Sequence, residues 1–282
     1  MALWHTEVAG SRRLAVGPPH QGPERFLDPG LTLADLLGPT GPALADIAGM
    51  RGTDAVGEGT RTVAPADAQP VWAAGVTFER SREARKEEAV TGDFYDRVYD
   101  ADRPELFLKA LPGQARGPGE PIGIRADSTW DVPEPELAVV ADHAGRIVGY
   151  VLGDDVSSRS IEGENPLYLP QAKVYEGSCA LGPCIVPVAE APDLDVIEMR
   201  LTINRDATLL YKDSVRISQM RRRPEDLVDW LFRALRFPAG VVLLTGTSIV
   251  PEPEITLKAG DRVSVTSDGL GSLDNTVEVV GR

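Results

Sequence analysis

From Leu137 to its end the chain is written in short apolar or alternating runs, each closed by a turn signal. This punctuation narrows the possible folds more than any other feature. "LAVV" runs up to the Asp142–Gly145 turn and "RIVGYVLG" follows it; "IEMRLTI" turns at "NRD" into "TLLYK"; "GVVLLTG" and "DRVSVTS" come later. Strands of this length and spacing predict a rolled or barrelled β architecture. One helix interrupts them. Pro224 suits a first-turn position, Glu225 and Asp226 suit the positive helix end, and Leu227, Trp230, Leu231, Ala234 and Leu235 make one apolar stripe assigned to the core.

Upstream the periodicity is thinner. Residues 1–70 are rich in Gly, Pro and Ala, with a short helix expected at "LTLADLLG" and little else that repeats, and they read as a small N-terminal subdomain ahead of a main domain over 71–282. Val71–Phe78 is a strand candidate. "ERSREARKEEA" after it is a charged helix candidate that Ser81 would cap. Its charges have no apolar stripe to anchor them, so Ser81 to about Ala101 is expected to be a mobile lid. With 282 residues, 42% of them hydrophobic, the chain can bury a sizeable core.

Forty-three acidic against 29 basic residues give a net charge of −14, which repels a phosphate backbone or an anionic bilayer, so neither nucleic acid nor membrane is an expected partner. No apolar run is long enough to span a bilayer and the first residues lack a signal-peptide core, from which a cytoplasmic address is expected. Cys179 and Cys184 flank "ALGP" without a second metal-binding pair and are expected to be buried packing thiols. His143 lies in the turn "ADHAGR", where exposure is expected.

The chemistry gathers at "PEPELAVV". Leu137–Val140 is an apolar run of buried-strand type, yet Glu134 and Glu136, two residues apart, project from one face of that strand. Alone, such a pair is most simply a solvated strand edge. Asp154 and Asp155 in "GYVLGDDVSSRS" follow another apolar strand, however, and a third carboxylate there could meet the first two. Three convergent carboxylates make a hard site suited to Mg²⁺ or Mn²⁺. Lys173 in "LPQAKVYEGSCALGP" could serve such a site as base or anion clamp.

In this order "EPE", "GDDVSSR" and "AKVYEGSCALGP" resemble the fumarylacetoacetate hydrolase superfamily, whose site is built by an E-x-E pair, an Asp in an N-D-x-[ST]-x-R segment and a lysine before an L-G-P turn. The resemblance extends over Val71–Arg282 through "LLTGTS" and "LKAGDRVSVTSDGLGSLDNTVE". It implies an α+β, mainly β fold: a fumarylacetoacetase-type mixed β-roll. It also implies metal ligands at Glu134, Glu136 and Asp155, with Asp154 standing where the family more often has Asn. Arg159 matches the motif's arginine, as substrate contact or as a salt bridge within the acidic cluster. Thr247 matches a threonine that faces the bound acid. Homodimers or dimers of dimers are the family's usual assemblies.

The superfamily's hydrolases, decarboxylases, isomerases and hydro-lyases share a 2-oxo acid substrate and formation of its enolate. The hydrolytic branch uses a His-Glu pair on the lid, whereas "GVTFERSREARKEEAVTGDFYDRVYDA" holds no histidine. That segment, with "DRPELFLKA" and "RSIEGENPLYLPQAK", is similar to the superfamily's 2-keto-3-deoxy sugar acid dehydratases. The resemblance thus implies a metal-dependent hydro-lyase for a pentonate-type 2-keto-3-deoxy acid. Lys173, Glu79 and Glu83 are the catalytic candidates, and Arg80, Ser81 and Arg82 would hold the substrate. Two alternatives stay open: a hydrolase cleaving a C–C bond of an acylpyruvate or 2,4-diketo-3-deoxy sugar acid, and a non-enzymatic binding protein, against which the intact Glu134, Glu136, Asp155 and Lys173 argue.

Overall fold

The computed structural model describes residues 1–50, 52–80 and 98–282. Its N-terminal segment holds more strand than its composition foretells. β1 (Ala2–Val8) and β2 (Ser11–Gly17) form a hairpin whose turn residues, Ala9 and Gly10, take positive φ of 49° and 78°. Two left-handed turn residues match the twist of a hairpin, and Ala-Gly in place of Asn-Gly hides the signal from a sequence reader. β3 (Arg25–Phe26) extends this hairpin and β4 (Arg61–Thr62) pairs with β1. Between them lies the expected short helix, α1 (Leu33–Leu37), started by a capping box between Thr32 and Asp35.

The main body begins with β5 (Val71–Gly75), β6 (Glu105–Ala110), β7 (Ile122–Arg125) and β8 (Asp131–Val132). β9 (Pro135–Ala141) and β10 (Ile147–Asp155) make a hairpin across the Asp142 turn, where Asp142 Oδ1 accepts the N–H groups of Ala144 and Arg146. β11 (Ser157–Ser158), α2 (Arg159–Glu164), α3 (Leu169–Lys173) and β12 (Cys179–Pro187) follow. Then come the hairpin β13 (Glu198–Arg205) and β14 (Thr208–Arg216), α4 (Pro224–Phe232), β15 (Val241–Leu244), β16 (Arg262–Ser267) and β17 (Gly271–Val280).

Among the described residues one ten-stranded mixed sheet runs β3-β2-β1-β12-β10-β9-β15-β5-β6, with β4 on β1, and a five-stranded sheet runs β14-β13-β16-β17-β7. The architecture is α+β and mainly β. The central strands of the large sheet are buried on both faces, which is why "LAVV" and "VVLL" are continuous rather than alternating. Leu137, Val139, Leu152, Val241 and Leu243 face the second sheet and α4, against Met199, Leu201, Val265 and Leu231. Ala138, Val140, Val151 and Val242 face α1, against Leu33, Leu36 and Leu37. The hairpin β1–β2 joins this sheet through β12, Leu3 pairing with Ile185.

Three local expectations need correcting. The helix α4 stops at Phe232, so Ala234 and Leu235 are exposed rather than core, and Phe237 folds back to meet the Phe232 ring edge-on at 5.2 Å. Val228 completes the buried stripe, while Trp230 is half-buried and stacked by Arg103 and Arg233. His143 is half-buried, its Nδ1 3.2 Å from the Leu37 carbonyl that ends α1. Cys179 and Cys184 are free, buried thiols as expected, and burial pushes both up to about 12.

Candidate active site

Sheet order places the candidate residues before any side chain is considered. The end of β10, the start of β9, the end of β15, the end of β5 and the start of β6 lie side by side along one end of the large sheet. Register finishes the alignment: Gly153 pairs with Glu136, and the Asp155 N–H donates to the Glu134 carbonyl at 2.9 Å, so Asp155 and the Glu pair become cross-strand neighbours.

The solvated-edge alternative fails here, because Glu134, Glu136 and Asp155 are 4%, 2% and 1% exposed. One oxygen from each lies within 4.8 Å of the others. Buried carboxylates this close repel one another and must be compensated. Burial first, then the charges of Asp155 and Glu134, drives the Glu136 carboxyl well above its ordinary range. Lys173, buried at the end of α3, supplies part of the compensation: its Nζ donates to Glu134 Oε2 at 2.7 Å, to Asp155 Oδ2 at 3.2 Å and to Ser157 Oγ. Arg159, buried at the start of α2, brings Nη2 to 2.8 Å from Glu134 Oε1. The Gly246 N–H, just past β15, donates to Glu136 Oε2 at 2.6 Å.

These groups line one cleft, with Gly75, Phe107 and Thr247 among its other walls. Thr247 is buried, and its Oγ1 accepts the Ile249 N–H at 3.1 Å. Asp154 is held differently from Asp155. Neighbours on a strand point to opposite faces, and Asp154 Oδ1 accepts the Glu134 N–H at 2.9 Å, so it buttresses the backbone of the pair rather than joining the cluster. Burial is the main cause that pushes its carboxyl up to about 7, and Oδ2 is buried with no hydrogen-bond partner among the described residues.

Of the other expected residues, the two that are described do not meet in the cleft. Glu79 and Arg80 are exposed and do not line it, and Arg80 instead pairs with Asp213 of β14 at 3.1 Å. Ser81, Arg82 and Glu83 lie outside the described residues, as does the expected mobile lid up to residue 97; its last residues, 98–101, are described and accept hydrogen bonds from Arg221 and Arg222.

β6 carries residues that motif reading passed over. Lys109 is fully buried, its Nζ 2.5 Å from Asp155 Oδ1, and it donates to the carbonyls of Val156, at 3.0 Å, and of Lys173. β5 pairs Trp72 with Leu108 and Val71 with Ala110, so Lys109 is the extra residue of a bulge, which re-aims its side chain. Glu105 opposes Gly75 across the same pair of strands. A Cβ at Gly75, a wall of the cleft, would lie 2.1 Å from Glu105 Oε2, so this carboxylate stands over the rim. The clue in "ELFLKA" was its alternation: Glu105 and Phe107 share a face, and Phe107 is a wall of the cleft.

The donor set fits a divalent cation: three buried carboxylates, hard and converging, with two ammonium groups and a guanidinium packed round them in compensation. A probable 2-keto-3-deoxyxylonate dehydratase of Haloferax volcanii is 52% identical over 216 residues, 77% of this chain and 74% of that one. A 2-dehydro-3-deoxy-D-arabinonate dehydratase of Saccharolobus solfataricus is 44% identical over 222 residues, again 77% and 74% of the two chains. The solved structure of 2-keto-3-deoxy-D-arabinonate dehydratase complexed with magnesium and 2,5-dioxopentanoate superposes over 100% of both chains, with a TM-score of 0.86 and 33% identity. Residues 71–278 match the family described as fumarylacetoacetate (FAA) hydrolase, C-terminal, and the chain belongs to that family.

Proposed function

We propose that the protein is a Mg²⁺-dependent hydro-lyase that removes water from a 2-keto-3-deoxy sugar acid of the pentonate type. The observation that carries the proposal is the contact of Lys173 Nζ with Glu134 and Asp155, a potential proton acceptor set against a buried carboxylate triad. Glu134, Glu136 and Asp155 would hold the ion, which when bound supplies the positive charge that makes the protons beside a 2-oxo group more acidic. Mn²⁺ suits the same donors.

The chain's own residues divide the remaining work. With a cation bound to the triad in place of its own charge, Lys173 would be a neutral amine able to take one C3 proton, and Ser157 and the two carboxylates fix the direction of that amine. The electron pair left at C3 expels the C4 hydroxyl, which needs a proton to leave as water; Glu105, whose carboxylate lies close over the Gly75 wall, would give it. Glu79 and Glu83 are the other candidates for that acid, and Arg80, Ser81 and Arg82 for holding the polyol. Arg159 and Thr247 line the cleft as groups for the substrate carboxylate and carbonyl. Phe107 keeps the base against an apolar wall, 5.8 Å from its ring centre. Such a reaction needs no activated water, consistent with a cleft whose described walls include no histidine. A five-carbon 2-keto-3-deoxy acid less one water has the composition of 2,5-dioxopentanoate, the compound in the neighbouring structure.

The test is a panel of 2-keto-3-deoxy pentonates and hexonates plus acylpyruvates, incubated with Mg²⁺ and read by product mass. Loss of one water supports the proposal; release of pyruvate from a diketo acid without any water loss replaces it with the C–C hydrolase. Homodimers or dimers of dimers working in the cytoplasm complete the reading, and light scattering on the purified protein tests the assembly.

A further inference from the structure

The Thr245 carbonyl and the Gly246 N–H belong to one peptide unit, and both ends of it are held. The N–H donates to Glu136 Oε2 at 2.6 Å, and the carbonyl accepts the Thr77 hydroxyl at 2.7 Å. A trans peptide is planar with its C=O and N–H pointing in opposite directions, so fixing the oxygen fixes the line along which the N–H points. The torsions that would turn this unit are ψ of Thr245 and φ of Gly246, and glycine resists the second less than any other residue. Gly246 has φ +96°, and a Cβ there would sit 2.0 Å from Thr77 Oγ1, so the hydroxyl fills the space that a side chain would need. Thr77 is itself held: it is fully buried, it follows Val76 at φ 54°, and its carbonyl accepts the Arg221 N–H at 3.0 Å. Thr245 is tied to β9 one residue past Glu136, its N–H and hydroxyl donating to the Leu137 carbonyl at 3.1 and 2.7 Å.

We infer that Thr77 is a positioning residue for the metal site: through the Thr245–Gly246 peptide it holds the Glu136 carboxylate in the orientation from which it takes the cation. A hydrogen-bonded chain runs from the hydroxyl just past β5, through the peptide at the exit of β15, to the triad, and the bonds of such a chain polarise one another, so the hydroxyl also makes the Gly246 N–H a stronger donor. Thr77 is not a wall of the cleft, so its effect on the site passes through that peptide. A hydroxyl that merely satisfied a buried carbonyl has a different consequence: its loss lowers stability and leaves Mg²⁺ affinity alone.

The inference rests on the metal-dependent reading above, and one of its two readouts needs no metal. Thr77→Val keeps the shape and removes the hydroxyl, whereas Thr77→Ser keeps the hydroxyl and removes the methyl. Calorimetric titration of Mg²⁺ into the metal-stripped proteins should show Thr77→Val binding about tenfold more weakly or worse, the effect expected when the partner of a ligating carboxylate is disturbed, and Thr77→Ser within about twofold of wild type. In the metal-free proteins the Gly246 amide proton, followed by NMR after isotope labelling of threonine and glycine, should move toward the position of a weaker hydrogen bond in Thr77→Val and stay in place in Thr77→Ser. Wild-type Mg²⁺ affinity in Thr77→Val, a Gly246 amide unmoved in that variant, or an affinity loss as large in Thr77→Ser, overturns the inference whatever the melting temperatures. Should Thr77→Val fail to fold, Thr77→Cys, whose thiol is a weak donor, must weaken Mg²⁺ binding and move the amide in the same directions. A wild type that binds no Mg²⁺ sinks the metal-dependent reading itself, and the amide signal still decides whether Thr77 sets the peptide.

Discussion

Replacing Asp154 by Asn should shift stability in favour of the variant as the pH rises in the metal-free protein. The side chain is 1% exposed, one of its oxygens has no hydrogen-bond partner among the described residues, and its carboxyl titrates at about 7 instead of 3.8. A carboxyl raised in the folded state holds its proton there after the unfolded chain has lost it. Its contribution is therefore favourable below 3.8 and is lost as pH climbs toward 7. Three pKa units at roughly 1.4 kcal/mol each put the loss near 4 kcal/mol above neutrality, of which about 2–3 kcal/mol falls between pH ~5 and pH ~8. Asn keeps the acceptor for the Glu134 N–H but buries an amide N–H₂ in place of the partnerless oxygen, a pH-independent cost of about 1–3 kcal/mol. The diagnostic quantity is thus the change in the difference between the two proteins. Urea denaturation in EDTA at both pH values should show Asp154→Asn gaining about 2–3 kcal/mol on wild type at the higher pH. A difference that does not vary with pH would refute the reasoning, and would mean that Asp154 is solvated or shares a proton with its neighbours.

His5 behaves in the opposite sense. It is 2% exposed, and burial, outweighing the nearby Asp67, lowers it from 6.5 to about 4. The unfolded chain therefore takes up a proton first as pH falls, and stability is lost between 6.5 and 4, up to about 3 kcal/mol. His5→Gln should flatten that part of the denaturation profile; an unchanged slope in the variant counts against it. Gly246→Ala should cost about 3 kcal/mol or more and weaken Mg²⁺ binding. Gly246 has φ +96°, its Cβ would sit 2.0 Å from Thr77 Oγ1, and its N–H holds Glu136. Melting within about a degree of wild type would show that the loop yields without loss.

The meeting of the carboxylate triad, Lys173, Arg159 and Thr247 in one cleft was legible because each stands in a short ordered motif, the carboxylates and Thr247 beside strand ends and Arg159 and Lys173 at the ends of short helices, and sheet register does the rest. Glu134 and Glu136 share a face by strand period alone, and the burial of "LAVV" on both sides follows from its unbroken apolar character. Lys109 was illegible for a physical reason: a bulge breaks the alternation at that residue, so its direction depends on β5, more than thirty positions upstream. The N-terminal hairpin was missed because its turn uses Ala9 in the left-handed region, which Ala rarely occupies. The end of α4 was overrun because "FRALRF" continues a helical pattern, while the Phe232–Phe237 contact ends it from outside. Parallel pairings such as β15 with β5 and β17 with β7 join segments far apart in the chain, and no local signal announces them.

The account turns on Lys173 as the group that removes the C3 proton, and solvent exchange reads that step without requiring water to leave. A 2-keto-3-deoxy pentonate is incubated in deuterated buffer with Mg²⁺ and wild type, Lys173→Met or Glu105→Gln, and the C3 protons are followed by NMR. The account predicts rapid exchange with wild type and none above the enzyme-free rate with Lys173→Met, although that variant still binds Mg²⁺. Glu105→Gln should keep exchange while losing most of its dehydration. Exchange at the wild-type rate in Lys173→Met, lost instead in Glu79→Gln, Glu83→Gln or Glu105→Gln, would contradict the account and move the base to another carboxylate.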